Sequence, residues 1–362
     1  MAETVFKFLD AYTKEDKDRF FGREEDEAQL YQMSFNTRLM LIYGASGTGK
    51  TSLVQCGLSR RFGNTRWKEV YVRRGGDIMQ SLRDELQKAI QIDAYDGVTI
   101  ENDPLKAIIQ LQKLVFTPVY LIFDQFEELF TLRPREKEGE AELLRYTTEK
   151  TAFFDFVRQV TDPGNALGCH VLLIIREEFI ASLWEFEKAV PSLFNYRYRI
   201  ERMRPEQVQD IIAKMLNLSG LQVEEGVAKA IADRLEMGKS GIELTYLQVY
   251  LERLYQRAAD QAKEGAAIEL NMSILDGMGE IKDVIGEFLD EELRKLEADF
   301  PSERKNLPLR LLGEMVSDDK TKKVLSEDQL VQAYRKWGMT ESEFNTCMAT
   351  FDLMKIIRRY EN

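Results

Sequence analysis

The sequence predicts an α/β protein in which a parallel sheet covered by helices is followed by a helical remainder. Three observations carry this. Short β-branched apolar runs alternate with amphipathic stretches through the first half of the chain. A glycine-rich segment lies between one of these runs and a helical stretch. Strand signals stop after about Arg202. At 362 residues the chain exceeds what one compact core usually holds, so two or three domains are expected.

Four runs read as buried strands: Arg38–Tyr43, Val70–Arg73, Val119–Phe123 and Val171–Ile175. Between them, Ile78–Ile92 and Lys106–Phe116 show helical periodicity, and a βαβ rhythm implies parallel strands. Leu132–Glu149 is charge-rich, carries Pro134 and Gly139, and reads as a solvated insertion after the third strand. Pro205 opens a helix with Glu206 in its first turn, as helix starts prefer. Further helical patterns cover Glu224–Met237, Glu243–Ala262 and Lys282–Glu297, and Pro301 and Pro308 mark a boundary. Leu309–Asn362 reads as two or three short helices of a winged-helix type. The expected domains are residues 1–201 for the sheet, 202–300 for a helical lid, and 301–362 for a winged-helix domain truncated at its end.

Gly44-Ala45-Ser46-Gly47-Thr48-Gly49-Lys50-Thr51 matches GxxxxGK[ST] in the strand–loop–helix context that motif needs. Glycines let successive backbone N–H groups converge on a phosphate. The helix start adds its partial positive charge. Lys50 places a full charge between the β- and γ-phosphates, and the Thr51 hydroxyl suits Mg²⁺. The candidate nucleotide-binding set is therefore Gly44, Ser46, Gly47, Thr48, Gly49, Lys50, Thr51 and the adjoining Ser52.

Pro118–Glu128 is an apolar strand ending in carboxylates, a Walker B pattern. Ligands bind at the carboxyl ends of strands in open α/β sheets. Asp124 is thus placed to hold Mg²⁺ with Thr51, and either Glu127 or Glu128 to orient the attacking water. The strand His170–Ile175 ends in Arg176. Inserted between the strands of the glycine loop and the acidic motif, which defines the additional-strand type of P-loop sheet, it would aim Arg176 at a γ-phosphate as a sensor. The alternative for Arg176 is an ion pair with Glu177, Glu178 or the acids near Glu127.

Composition narrows the function. A net charge of −12 argues against broad nucleic-acid binding. The cluster Lys320, Lys322 and Lys323 reads as a solvated loop. Three scattered cysteines fit a reducing, cytoplasmic setting. With His170 as the one histidine, a zinc site or a histidine-based triad is disfavoured. The apolar runs are of strand length, so no membrane span is expected.

Together these residues resemble the STAND class of signal-transduction ATPases, closest to the bacterial novel STAND group and related to NACHT and NB-ARC switches. Phe20-Phe21-Gly22-Arg23-Glu24-Glu25 resembles the family's GRE motif, which implies that Gly22 and Arg23 lie near the adenine. Asp124–Phe130 resembles its extended Walker B, Arg176 its sensor arginine, and Leu244–Gln248 its helical-domain motif. Two departures stand out. Thr245 occupies the place of the family's adenine-packing proline, and no histidine follows His170 to hold an ADP β-phosphate. The resemblance implies a slow ATPase, with ATP/ADP and Mg²⁺ as cofactors. It also implies nucleotide-dependent homo-oligomerisation, a protein trigger or effector, and a role in defence or programmed cell death. The competing reading is an initiator-like or DNA-remodelling AAA+ ATPase that uses a winged helix.

Overall fold

The computed structural model describes residues 7, 10–63, 67–93, 101–131, 140–165, 167–218, 221–236, 241–262, 267–278, 284–298, 300–316, 323, 325–353 and 357. Residues 132–139 of the expected insertion, Lys320 and Lys322 of the basic cluster, and 358–362 lie outside them. The chain divides into two compact units, one made of Ala11–Gly220 with Glu236–Leu244, the other of Met1–Asp10, Leu221–Leu235 and Thr245–Asn362.

The first unit is built on a sheet whose strands are β1 (Leu39–Gly44), β2 (Lys68–Val72), β3 (Val119–Phe123), β4 (Cys169–Arg176) and β5 (Arg197–Arg199). Their order is β2-β3-β4-β1-β5, all parallel. β4 therefore lies between the glycine-loop strand β1 and the acidic strand β3, as the additional-strand expectation required. The helices are α1 (Glu24–Asn36), α2 (Lys50–Ser52), α3 (Ser59–Phe62), α4 (Ile78–Asp93), α5 (Pro104–Val115), α6 (Glu128–Thr131), α7 (Glu140–Thr161) and α8 (Pro205–Leu218). A π-helical stretch, Leu53–Leu58, joins α2 to α3.

Alternate strand residues point to opposite faces. Leu39, Leu41, Val119, Leu121, Phe123, Val171, Leu173 and Ile175 share one core with α4, α5 and α7. Met40, Ile42, Tyr120, Ile122, Leu172 and Ile174 share another with Leu30 of α1 and Leu53–Leu58. Burial on both faces explains why the central strands read as unbroken apolar runs. At about 1.5–3 kcal/mol for each large apolar side chain fully buried, these two layers dominate the favourable side of folding.

Three sequence expectations need correction. Residues 140–149 are not a separate insertion but the first turns of α7, whose described side chains here are exposed apart from Tyr146 and Glu149. Burial of Tyr146, Phe153, Phe154 and Val157 supplies the reason: the apolar stripe that docks the helix continues past the charge-rich opening. A fifth strand, β5, follows at the sheet edge, where alternating Arg and Tyr hide the apolar signal. Strands also do not end at Arg202, since β6 (Gln222–Val223) and β7 (Glu269–Leu270) form a short parallel pair.

The second unit is mainly helical: α9 (Val227–Leu235), α10 (Leu244–Gln261, from its second residue), α11 (Met272–Gly277), α12 (Val284–Ala298), α13 (Leu307–Glu314), α14 (Glu327–Lys336) and α15 (Glu341–Leu353). Leu293, Leu296, Phe300, Leu311, Met339, Cys347 and Phe351 form a core among α12–α15. Ser326 and Gln329 close a capping box at the start of α14. Among the described residues no helix is long and apolar enough to cross a membrane.

Candidate functional site

The register of the sheet assembles the site. Gly44, the first residue of the glycine loop, pairs across with Arg176 at the end of β4. Phe123 pairs with Val72 on one side and Leu173 on the other, so Asp124 emerges between the ends of β2 and β4. The turn after Asp124 is pinned on both sides. Asp124 N–H donates to Val72 O at 2.9 Å and Phe126 N–H to Ile174 O at 2.8 Å. Between them Gln125 adopts φ +57°, a left-handed conformation that costs a non-glycine residue about 1–3 kcal/mol and persists because its neighbours are held.

The glycine loop leads into α2 through Gly49 at φ +82°, after Gly47 at φ +70°, conformations that glycine adopts without penalty. Several groups hold the loop. Lys50 Nζ donates to Gly44 O at 2.9 Å and Ala45 O at 2.8 Å. Thr48 Oγ1 donates to Ala45 O at 3.0 Å. Leu244 N–H donates to Gly47 O at 3.1 Å. Ser52 Oγ accepts from Tyr12 N–H at 3.1 Å, so this candidate is engaged by the chain upstream of α1.

Arg23 supports this loop through Thr48, while Gly22 packs against α8. Gly22 has φ +80°, and a Cβ there would meet Ile211 Cδ1 of α8 at 2.5 Å. Arg23, 6% exposed, donates through Nη2 to Thr48 O at 2.7 Å and Glu201 O at 2.8 Å, and through Nη1 to Asp26 at 2.8 Å. A buried guanidinium with both ends engaged is an anchor.

Thr51 Oγ1 donates to Asp124 Oδ1 at 2.8 Å, and Asp124 is 3% exposed. A hydroxyl and a carboxylate are the hard oxygen donors that Mg²⁺ takes, so these residues fit that ion. The two candidate glutamates part company. Glu127 Oε2 accepts the Arg176 backbone N–H at 3.2 Å, and its charge is felt by Lys50. Glu128 is fully buried. Burial pushes the Glu127 carboxyl above its ordinary value, opposed by its hydrogen bonds and by Lys50. Burial likewise pulls Lys50 down, opposed by Glu127 and Glu178. The Arg176 guanidinium is ion-paired with Glu178, which was one of the two sequence readings for it.

Sequence reasoning named Glu178 as a partner for Arg176 but missed Glu243, its partner Arg202, and Arg73. Glu178 neighbours Arg176 and Lys50. Glu243, paired with Arg202 at 3.6 Å, lies so close over the loop that a Cβ on Gly47 would meet its Cγ at 2.3 Å. Arg73 grips Asp124 Oδ2 through Nη2 at 2.6 Å and Nε at 3.1 Å. The signal for Arg73 was present: like Arg176, it is a cation at the carboxyl end of an apolar strand. Nothing local in the sequence marks Glu243, which reaches the loop through tertiary packing.

Solved structures similar to this chain share its fold at low identity. The Aeropyrum pernix ORC2 protein in its ADP form is 12% identical with a TM-score of 0.52, and the match covers 97% of each chain. The same protein in ADPNP–ADP complexes is 14% identical, TM-score 0.51, over 98% of this chain and 90% of that one. Aeropyrum pernix ORC1 in complex with DNA is 13% identical, TM-score 0.50, over 92% and 84%. At such identities the likeness concerns architecture. No curated protein matches in sequence. The family model described as Novel STAND NTPase 1 matches residues 6–351. That span takes in the glycine loop, the Asp124 turn, Arg176 and nearly all of the helical remainder, and this chain belongs to the novel STAND NTPase 1 family.

Proposed function

We propose that the chain is a signal-transduction switch that binds ATP or ADP with Mg²⁺ and hydrolyses ATP slowly. Its nucleotide state would control domain rearrangement and self-association. The observation that carries this reading is the position of Glu127, tied to the Arg176 backbone and sharing its field with Lys50. A carboxylate, a lysine and an arginine thus converge at the carboxyl ends of β1, β3 and β4.

The chain's own residues would act as follows. Lys50 leaves the carbonyls of Gly44 and Ala45 and turns to the phosphates, exchanging neutral acceptors for charged ones. Thr51 and Asp124 hold Mg²⁺, which supplies neutralising charge on the phosphate oxygens. Glu127 orients the attacking water and receives its proton. Its raised proton affinity suits that role, and the neighbouring Lys50 favours its ionised form against burial. Arg176 exchanges Glu178 for the γ-phosphate. Gly22 and Arg23 set the adenine side of the pocket, Arg23 by fixing the loop through Thr48. The region of residues 301–362 is a winged-helix domain in this reading. In this reading the setting is bacterial defence or programmed cell death in the cytoplasm, as the resemblance to STAND switches implies.

The test is a pair of amide substitutions. Glu127→Gln should keep ATP affinity and lose turnover by a factor on the order of 10²–10⁴, the usual contribution of a positioned base. Glu128→Gln should change turnover little. Calorimetry for binding and phosphate release for turnover measure both. Loss of turnover in Glu128→Gln with full activity in Glu127→Gln would overturn the assignment.

A further inference from the structure

Val72 and Phe123 are in register, so the residues that follow them, Arg73 and Asp124, stand side by side at the ends of β2 and β3. Asp124 is almost completely buried, and a buried carboxylate needs partners. One oxygen takes the Thr51 hydroxyl. The other, Oδ2, takes two N–H groups from Arg73, through Nη2 at 2.6 Å and Nε at 3.1 Å. Two donors use both lone pairs of that oxygen. The Arg73 side chain is 22% exposed, so it is anchored at one end and has solvent to move into.

We infer that Arg73 is a positioning residue that competes with Mg²⁺ for Asp124 and so sets the metal concentration at which nucleotide is held with its ion. The inference rests on the assignment of Asp124 to the metal. A guanidinium supplies the charge and the donors that a hydrated cation would otherwise offer to Oδ2. Two cations sharing one carboxylate repel, so the oxygen serves one at a time. With Oδ2 held by Arg73, the charge of Asp124 is neutralised and its contact with Thr51 is preserved. When the ion arrives, Arg73 must loosen its hold. The same contact therefore keeps the empty site intact and raises the Mg²⁺ needed to fill it.

The experiment uses the full chain and follows ADP affinity by calorimetry as Mg²⁺ is raised from a chelated baseline. Wild type is compared with Arg73→Met, which removes the rival charge, and Arg73→Lys, which keeps charge but loses the two-nitrogen grip. Because it removes a rival cation from Oδ2, Arg73→Met should reach half-saturation at on the order of tenfold lower Mg²⁺. This is the opposite sign to the roughly ten- to hundredfold loss usual when a supporting neighbour of a metal-holding group is removed. Arg73→Lys should fall between the two. Thermal melting in chelator should be lower for Arg73→Met than for wild type, and Mg²⁺ with ADP should close that gap. If Arg73→Met does not fold, the Lys variant carries the comparison alone. An unchanged or raised Mg²⁺ requirement in the variants would refute the competition while leaving the metal assignment standing. ADP affinity independent of Mg²⁺ in wild type would remove the metal assignment itself, and the competition with it.

Discussion

Burial acts in opposite directions on Lys50 and Glu127, and each offsets the effect on the other. Lys50 would lose its proton more readily and Glu127 would keep its own, but their mutual attraction favours both charged forms. Burial is the larger effect on each, so Lys50 lies below and Glu127 above its ordinary value. His170, the sole histidine, is likewise ruled by burial, which lowers its value. Its ring stacks on Tyr120 at 4.4 Å, and Nδ1 lies 2.8 Å from Thr37 O. A carbonyl can only accept, so Nδ1 carries the proton in the neutral ring. Because the folded value is depressed, His170 contributes stability that is intact above the ordinary histidine value near 6.5. That contribution is lost as pH falls from there through the folded value, since the unfolded chain takes its proton first. Denaturant midpoints for wild type should fall as pH is lowered through this window. His170→Gln, which keeps a donor but does not titrate, should show a flatter profile. Parallel profiles would show that His170 does not set the slope.

At the level of elements, α7 is tied to the sheet by one ion pair. Arg74 donates to Glu149 through Nε at 2.8 Å and Nη2 at 2.6 Å, and Ile78 N–H, opening α4, donates to the same carboxylate at 2.8 Å. Both side chains are buried. Removing one partner of such a pair leaves a charge without compensation, so Glu149→Ala should destabilise the first unit by about 3–5 kcal/mol. Glu149→Gln, which can still accept from Ile78, should cost less. Equal unfolding curves for Glu149→Ala and wild type would show the pair to be dispensable. This pairing also shows where sequence reading stops. The central strands were legible because burial on both faces leaves an apolar run, and the glycine loop because its chemistry is local. The charge-rich opening of α7 hid a helix whose apolar stripe lies further on. β5 was missed because an edge strand of three residues carries too little pattern. In the site, Lys50, Thr51, Asp124 and Arg176 could be read from position along single strands and loops. The separation of Glu127 from Glu128 could not, since adjacent residues in a turn differ by direction alone.

For the whole molecule, a switch needs two states that a ligand distinguishes, and a ligand shifts them only by its difference in affinity. In the proposed switch, the Arg176–Glu178 pair is the contact that a γ-phosphate would have to break and a diphosphate would leave in place. The chain should therefore be monomeric with ADP and form larger species with a non-hydrolysable ATP analogue and Mg²⁺. Light scattering in each nucleotide state checks this, and Arg176→Ala should abolish the difference. A stable assembly regardless of nucleotide, or an undiminished response in Arg176→Ala, would remove the sensor role. The grip on the glycine loop described earlier bears on how much of that binding free energy survives. Arg23 holds Thr48, Leu244 holds Gly47, and Tyr12 holds Ser52 before any ligand arrives. A loop already confined to its final shape has little conformational freedom left to surrender, a loss that otherwise amounts to about 1–2 kcal/mol per residue fixed. Lys50 is the member that must change partners, so nucleotide capture should be an enthalpic exchange at one side chain more than an ordering of the loop.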